Sequence, residues 1–279
     1  MSWVRKGINY LIFGNLFIAV VAVVMAETCY STLYFPSNAW VLLFVFFGTL
    51  CSYSLHWFLS GETLVGSERE AWTLAHKNFL LGTFFLSAPA CLYLFFQLDF
   101  RAQLYACGLG LATFLYTAPK IPFQPFVFLR KIAIGKTVYL ALVWTLTTIF
   151  LPLAEWEMEV SPEVWLFFLN RLALILPICI LFDSKDKESD LQQGLKNIVY
   201  SLTWKQTKVV VSFCLLVFFL SAWAFVQEDF DWRSFVQLAG PGLGLAFLLP
   251  IHQRKPSDYY YYFWLDGLMM GTGLLHWLL

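Results

Sequence analysis

The chain has 279 residues, 59% hydrophobic and 13% charged, with 18 Lys plus Arg against 18 Asp plus Glu. A soluble domain carries about 25% charged residues, so a wholly water-facing surface is excluded, as the mean hydropathy of +0.67 also indicates. The even charge balance excludes a nucleic-acid partner.

A spanning helix needs about 20 mostly apolar residues. The first such run, Ile8 to Ala26, follows Arg5 and Lys6. Val24-Met25-Ala26 before Glu27 has the small-residue look of a signal-peptidase site, but the run is long enough to span and is read as a retained first helix. Further runs predict spans over 38–59, 78–97, 102–118, 132–153, 163–182, 208–226, 234–250 and 260–278. The reading is therefore an all-α polytopic membrane protein of about nine transmembrane helices, forming a single transmembrane domain over 1–279. The runs do not alternate apolar with polar, as barrel strands would. Cys29, Cys51, Cys91, Cys107, Cys179 and Cys214 stand singly and are read as packing residues. Tyr259 to Tyr262, at the start of the last run, is read as an interfacial aromatic belt. Arg171 and His276, near span ends, are read as snorkelling or capping residues.

Cytoplasmic loops are enriched in Lys and Arg. With the N-terminus in the cytoplasm and the C-terminus on the opposite side, 15 of the 18 basic residues fall in cytoplasmic segments. The opposite 5–6 loop is acidic, with Glu155, Glu157, Glu159 and Glu163.

One polar segment carries chemistry. At the cytoplasmic end of the sixth span, Asp183, Asp186, Asp190 and Gly194 are spaced by three, four and four. On a continuing helix they share one stripe. Carboxylates so placed repel one another unless a cation lies between them. Magnesium suits, since it takes one or two carboxylates together with waters and phosphate oxygens. Lys185, Lys187 and Lys196 lie beside the stripe as candidate phosphate contacts. The competing reading is a solvated loop in which Asp183 or Ser184 caps a helix.

The run Phe182-Asp183-x-x-Asp186-x-x-x-Asp190-x-x-x-Gly194-x-Lys196 resembles the second aspartate-rich motif of the UbiA superfamily of intramembrane prenyltransferases. Weaker echoes are Tyr116-Thr117-Ala118-Pro119, Leu129-Arg130-Lys131 with Gly135-Lys136, and Asp266-Gly267. The resemblance implies a UbiA-like bundle of nine helices, with motifs in the 2–3 and 6–7 loops. It also implies magnesium held by Asp183, Asp186 and Asp190, and a prenyl diphosphate contacted by Lys136, Lys185, Lys196 and Tyr116. The reaction implied is ionisation of the diphosphate in a water-shielded cavity and attack by a lipophilic acceptor.

The first motif of that superfamily is of the type NxxxDxxxD. The matching stretch here, Cys51 to Glu62, contains no aspartate and offers Ser52, His56 and Ser60 in its place. Three explanations stay open. Glu62, Glu68 and Glu70 replace the carboxylates; His56 contacts phosphate or acts as the catalytic acid or base; or transfer has been lost and the fold binds isoprenoid lipid or a membrane partner. Asp266 in the last span is read either as a cavity residue or as a packing hydrogen-bonder. A small transporter is the rival class, but no paired Gly/Pro-broken helices mark a transport site.

Overall fold

The computed structural model describes residues 3–60, 66–121, 135–156, 161–192, 198–254 and 256–279, without the side chains of 188–192 and 198. Among these residues every regular element is helical. Twelve α-helices follow in order: α1 (Trp3–Phe13), α2 (Leu16–Thr32), α3 (Ala39–Phe58), α4 (Glu68–Ala75), α5 (Lys77–Phe95), α6 (Phe100–Thr117), α7 (Lys136–Leu153), α8 (Pro162–Gln192), α9 (Trp204–Val226), α10 (Trp232–His252), α11 (Asp266–Met269) and α12 (Gly271–Leu278). A π-helical turn, Tyr260–Leu265, leads into α11.

Local sequence sets several helix starts. Asn38 accepts from the Trp40 amide at 2.8 Å to open α3, and Asp231 accepts from the Ser234 amide at 2.9 Å to open α10. Ser67 with Glu70, and Thr203 with Gln206, form reciprocal capping boxes for α4 and α9.

Helix α3 packs along α5, α8 along α9, α2 against α3 and α7, and α10 against α12. Helix α8 is the central rod. Of its most apolar stretch 67% is buried, against 17% for the peripheral α5. Phe85, Leu86 and Phe247 are exposed on the outside, where lipid tails rather than water suit them.

Six helices (α3, α5, α7, α8, α9 and α10) are long and apolar enough to cross a membrane, and the bent pair α1–α2 makes a seventh. Seven of the nine expected runs are thus matched among the described residues. The runs at 102–118 and 260–278 are helical but fall short of the same criterion. Arg101 and Gln103 dilute the first, and the second is divided into short pieces.

The first span also bends. Its helix breaks after Phe13, and α1 is bent 52° from α2. Asn15 takes the left-handed conformation, φ 68°, which Asn tolerates better than most residues. At Gly14 a Cβ would lie 2.1 Å from the Tyr10 carbonyl oxygen, so only glycine fits. The first candidate span is therefore this bent pair, Trp3–Phe13 with Leu16–Thr32, and not one straight helix over 8–26.

Two aromatic and basic readings are overturned. Tyr260, Tyr261 and Tyr262 are 4%, 3% and 7% exposed, so they pack inward and do not form a belt. The π-helical turn directs successive tyrosines at the bundle, and their hydroxyls find partners: Tyr260 donates to the Leu248 carbonyl at 3.0 Å, and Tyr261 lies 3.2 Å from His252 Nδ1. Arg171 neither snorkels nor caps. It is buried, donates to the Thr148 carbonyl at 2.6 Å, and sits 4.5 Å from the Phe167 ring centre.

Candidate functional site at the polar mouth of a membrane cavity

A cavity of about 1150 Å³ opens between α3, α6, α7 and α8. Its interior is lined by apolar side chains such as Val45, Leu109, Val143 and Ile178, and its polar rim holds His56, Arg69, Lys120, Lys136, Asp183 and Asp186. A large apolar pocket with a few converging polar groups is where small-molecule binding sites normally lie.

One wall is acidic. Helix α8 runs past the apolar core without a break to Gln192, which places Asp183 and Asp186 one turn apart on the cavity side. Asp183 is buried and accepts a hydrogen bond from Thr137 Oγ1 of α7. Asp190 lies on the same helix, but its side chain, like Gly194 and Lys196, lies outside the described positions. Lys185 points to the other side. It is ion-paired with Asp258 at 2.6 Å, lies over the Tyr262 ring at 4.6 Å, and is not among the described lining residues.

A second wall, at the end of α3, is cationic. His56 Nδ1 is 3.2 Å from Thr117 Oγ1, and its ring stacks on Tyr116 at 5.5 Å. Lys136 Nζ lies 5.6 Å from the Tyr116 ring centre. Lys120 donates to Ser60 Oγ at 2.5 Å and lies 5.5 Å from the Trp57 ring centre. Thus His56, Tyr116, Lys136, Asp183 and Asp186 border one cavity.

The residue that the sequence did not single out is Arg69. Although it sits on the short helix α4, it is 2% exposed and lines the cavity. Its guanidinium is held between the rings of Trp57 at 4.1 Å and Tyr262 at 4.2 Å. Nη2 donates to Asn15 Oδ1 at 2.7 Å, and the Arg69 backbone amide donates to Asp258 Oδ2 at 2.7 Å. The break at Gly14–Asn15 therefore has a purpose legible in the structure: it turns a carboxamide inward to hold this arginine. Burial pulls the Arg69 pKa down, while Tyr262, Asp266, Tyr53 and Asp258 pull it up. A guanidinium remains charged through such a shift. Its signal in the sequence was only a basic residue in a loop, and nothing local distinguishes it from Lys77.

Of the candidate replacement carboxylates, Glu68 pairs with Arg5 at 2.8 Å. Glu70 accepts the amides of Gly66 and Ser67 at 2.8 and 3.1 Å in the α4 capping box. Glu62 lies outside the described residues. Deeper in the cavity, Trp144 Nε1 donates to Tyr53 at 3.2 Å, and the buried Asp266 contributes to the lining.

The donor set decides which metal would fit. Asp183 and Asp186 are hard oxygen donors, and magnesium usually binds to one or two carboxylates with waters and phosphate oxygens. That wall fits one magnesium. Ser52, His56 and Ser60 supply no carboxylate, and Lys120 stands against Ser60, so the α3 wall does not fit a second. Among the described residues no cluster of three or more His, Cys, Asp or Glu is placed to hold a metal by protein atoms alone.

The architecture is that of a membrane helical bundle with a large, mostly apolar cavity open at a polar rim, and it is the UbiA fold. The chain superposes on the apo structure of a UbiA homolog from Aeropyrum pernix K1 with a TM-score of 0.63, covering 94% of this chain and 98% of that one at 13% sequence identity. No protein-family model matches the sequence, and no curated protein matches it.

Proposed function

We propose that this UbiA-fold membrane protein binds a prenyl diphosphate and transfers its prenyl group to a lipophilic acceptor. The observation that carries the reading is that one cavity has an apolar interior and a rim bearing both Asp183–Asp186 and a set of cations. The isoprenoid tail lies along Val45, Leu109, Val143 and Ile178, while the diphosphate stays at the rim. Magnesium bound at Asp183 and Asp186 would supply positive charge against the diphosphate.

The chain's own residues do the rest. The allylic C–O bond breaks and its electron pair leaves with the diphosphate, whose growing charge faces Lys120, Lys136 and Arg69. The faces of Tyr116 and Trp57 stand near the rim, where an allylic cation forms, and ring faces attract cations. The apolar walls exclude water that would otherwise trap that cation. The acceptor's carbon attacks and its proton departs. His56, with Nδ1 at Thr117 and its ring stacked on Tyr116, is the basic group at the rim that takes it.

The test uses purified protein in lipid nanodiscs with labelled geranylgeranyl or farnesyl diphosphate, magnesium and a membrane-lipid extract. Transfer predicts release of diphosphate and a labelled lipid product. Saturable binding without release favours the second reading, a non-catalytic isoprenoid binder, which the absent first-motif carboxylates support. In the same account the polar rim faces the cytoplasm, with the N-terminus on that side and the C-terminus on the other. A cysteine introduced beside Glu157 then reacts only with reagent added from the opposite side. Labelling from the cytoplasmic side would reverse the assignment.

A further inference from the structure

The α3 wall raises a question of charge. Where a metal-binding wall would offer carboxylates, Ser52, His56 and Ser60 offer neutral groups. The Lys120 ammonium lies 2.5 Å from Ser60 Oγ, and a positive charge beside these neutral groups repels a second cation. This wall therefore favours an anion over a second divalent cation.

Arg69 argues independently for the same occupant. Buried charges are normally paired. Yet among the described residues Arg69 has no carboxylate within salt-bridge distance of its guanidinium, and its buried Nε has no hydrogen-bond partner. The rings of Trp57 and Tyr262 clamp the two faces of the plane, and Asn15 holds one edge. Clamped in this way, the remaining edge is set in one direction, which is the geometry that suits forked hydrogen bonding to phosphate oxygens. A purely structural staple would be served equally by an apolar side chain between the same two rings.

Resting on the prenyl diphosphate reading, we infer that Arg69 and Lys120 bind the diphosphate directly on the wall where a second metal would otherwise sit, so that the site takes a single divalent cation, on Asp183 and Asp186. The diphosphate then lies between two unlike walls. On the α8 side Asp183 and Asp186 would hold the one metal, which would supply positive charge to the diphosphate; on the α3 side the guanidinium and ammonium bond it.

The experiment counts metals and measures metal-free binding on the full chain in nanodiscs. Manganese replaces magnesium and is counted by electron paramagnetic resonance in the presence of farnesyl thiodiphosphate. Calorimetry in EDTA measures farnesyl diphosphate and inorganic pyrophosphate. One manganese per chain is expected, with saturable farnesyl diphosphate binding that persists in EDTA. Lys120→Gln should weaken the EDTA binding by about tenfold or more, the size of a lost charge-assisted contact, and Lys120→Arg should restore it. Asp186→Asn should remove the manganese signal and leave the EDTA binding in place. A structural role for Lys120 alone would change melting temperature without this split. Two manganese per chain, or binding that disappears in EDTA, overturns the single-metal site while leaving the prenyl diphosphate reading intact. No binding of farnesyl diphosphate with or without metal overturns both.

Discussion

The two walls of the cavity mouth reach the same rim by opposite means. On the α8 wall, carboxylates one turn apart ride a helix that continues unbroken to Gln192. Their placement follows from helical periodicity alone. On the α3 wall, the cations come from separate places: Arg69 from α4, Lys120 from the 3₁₀ turn after α6, and Lys136 from the start of α7. Their meeting depends on tertiary packing, including a helix break whose Asn15 lies 54 residues from Arg69, the nearest of them in the chain. The difference teaches that charge at one rim can come either from a local helical spacing or from residues with no common spacing.

The largest expected effect separates the walls by metal dependence. Asp186→Asn keeps size and removes charge, so the magnesium-linked part of prenyl diphosphate binding should fall roughly 10- to 150-fold, the range of one lost charge-assisted contact. His56→Ala should leave that metal dependence nearly unchanged, because imidazole is a poor magnesium ligand, while it slows transfer. Magnesium titrations of both variants check the pair, and an equal loss of metal dependence in the two would erase the distinction between the walls.

The next effect reaches the cationic wall through its support. Asn15→Ala removes the buried acceptor of the Arg69 Nη2 hydrogen bond. It should lower stability by about 1–3 kcal/mol and weaken metal-free binding more than magnesium-linked binding. Thermal unfolding in detergent and calorimetry in EDTA measure the two. A stability loss with no change in metal-free binding would make Asn15 and Arg69 a structural pair only.

A smaller and more selective change is expected away from both walls. Thr147 lines the cavity, and Thr147→Trp should shorten the preferred prenyl chain while leaving binding of inorganic pyrophosphate within about twofold, since surface-independent sites more than about 10 Å apart act nearly additively. Competition among prenyl diphosphates of several lengths reads this. A uniform loss across all lengths would place the tail elsewhere.

These contrasts also explain what was legible in the sequence. The polytopic helical class followed from long apolar runs, and the cavity-side placement of Asp183 and Asp186 from their helical spacing, because both are local regularities. The inward tyrosines were misread since a run of four at a span end has the composition of a belt. Only the π-helical turn, which depends on neighbours, sends them to the core. The bend in the first span was missed because Ile8 to Phe13 runs on into α2 as one apolar stretch, and the break rests on one glycine and a left-handed Asn15. Arg69 was invisible for the plainest reason: its burial is decided by Trp57, Tyr262, Asn15 and Asp258, four residues from three parts of the chain.

The measurement closest to the central claim is a structure of the protein in nanodiscs with farnesyl thiodiphosphate and magnesium. The account predicts one metal beside Asp183 and Asp186, diphosphate oxygens within hydrogen-bond distance of Arg69 and Lys120, and the tail extending along Val45, Leu109, Val143 and Ile178. A diphosphate lodged away from both walls, or a ligand that leaves the cavity empty, would contradict it.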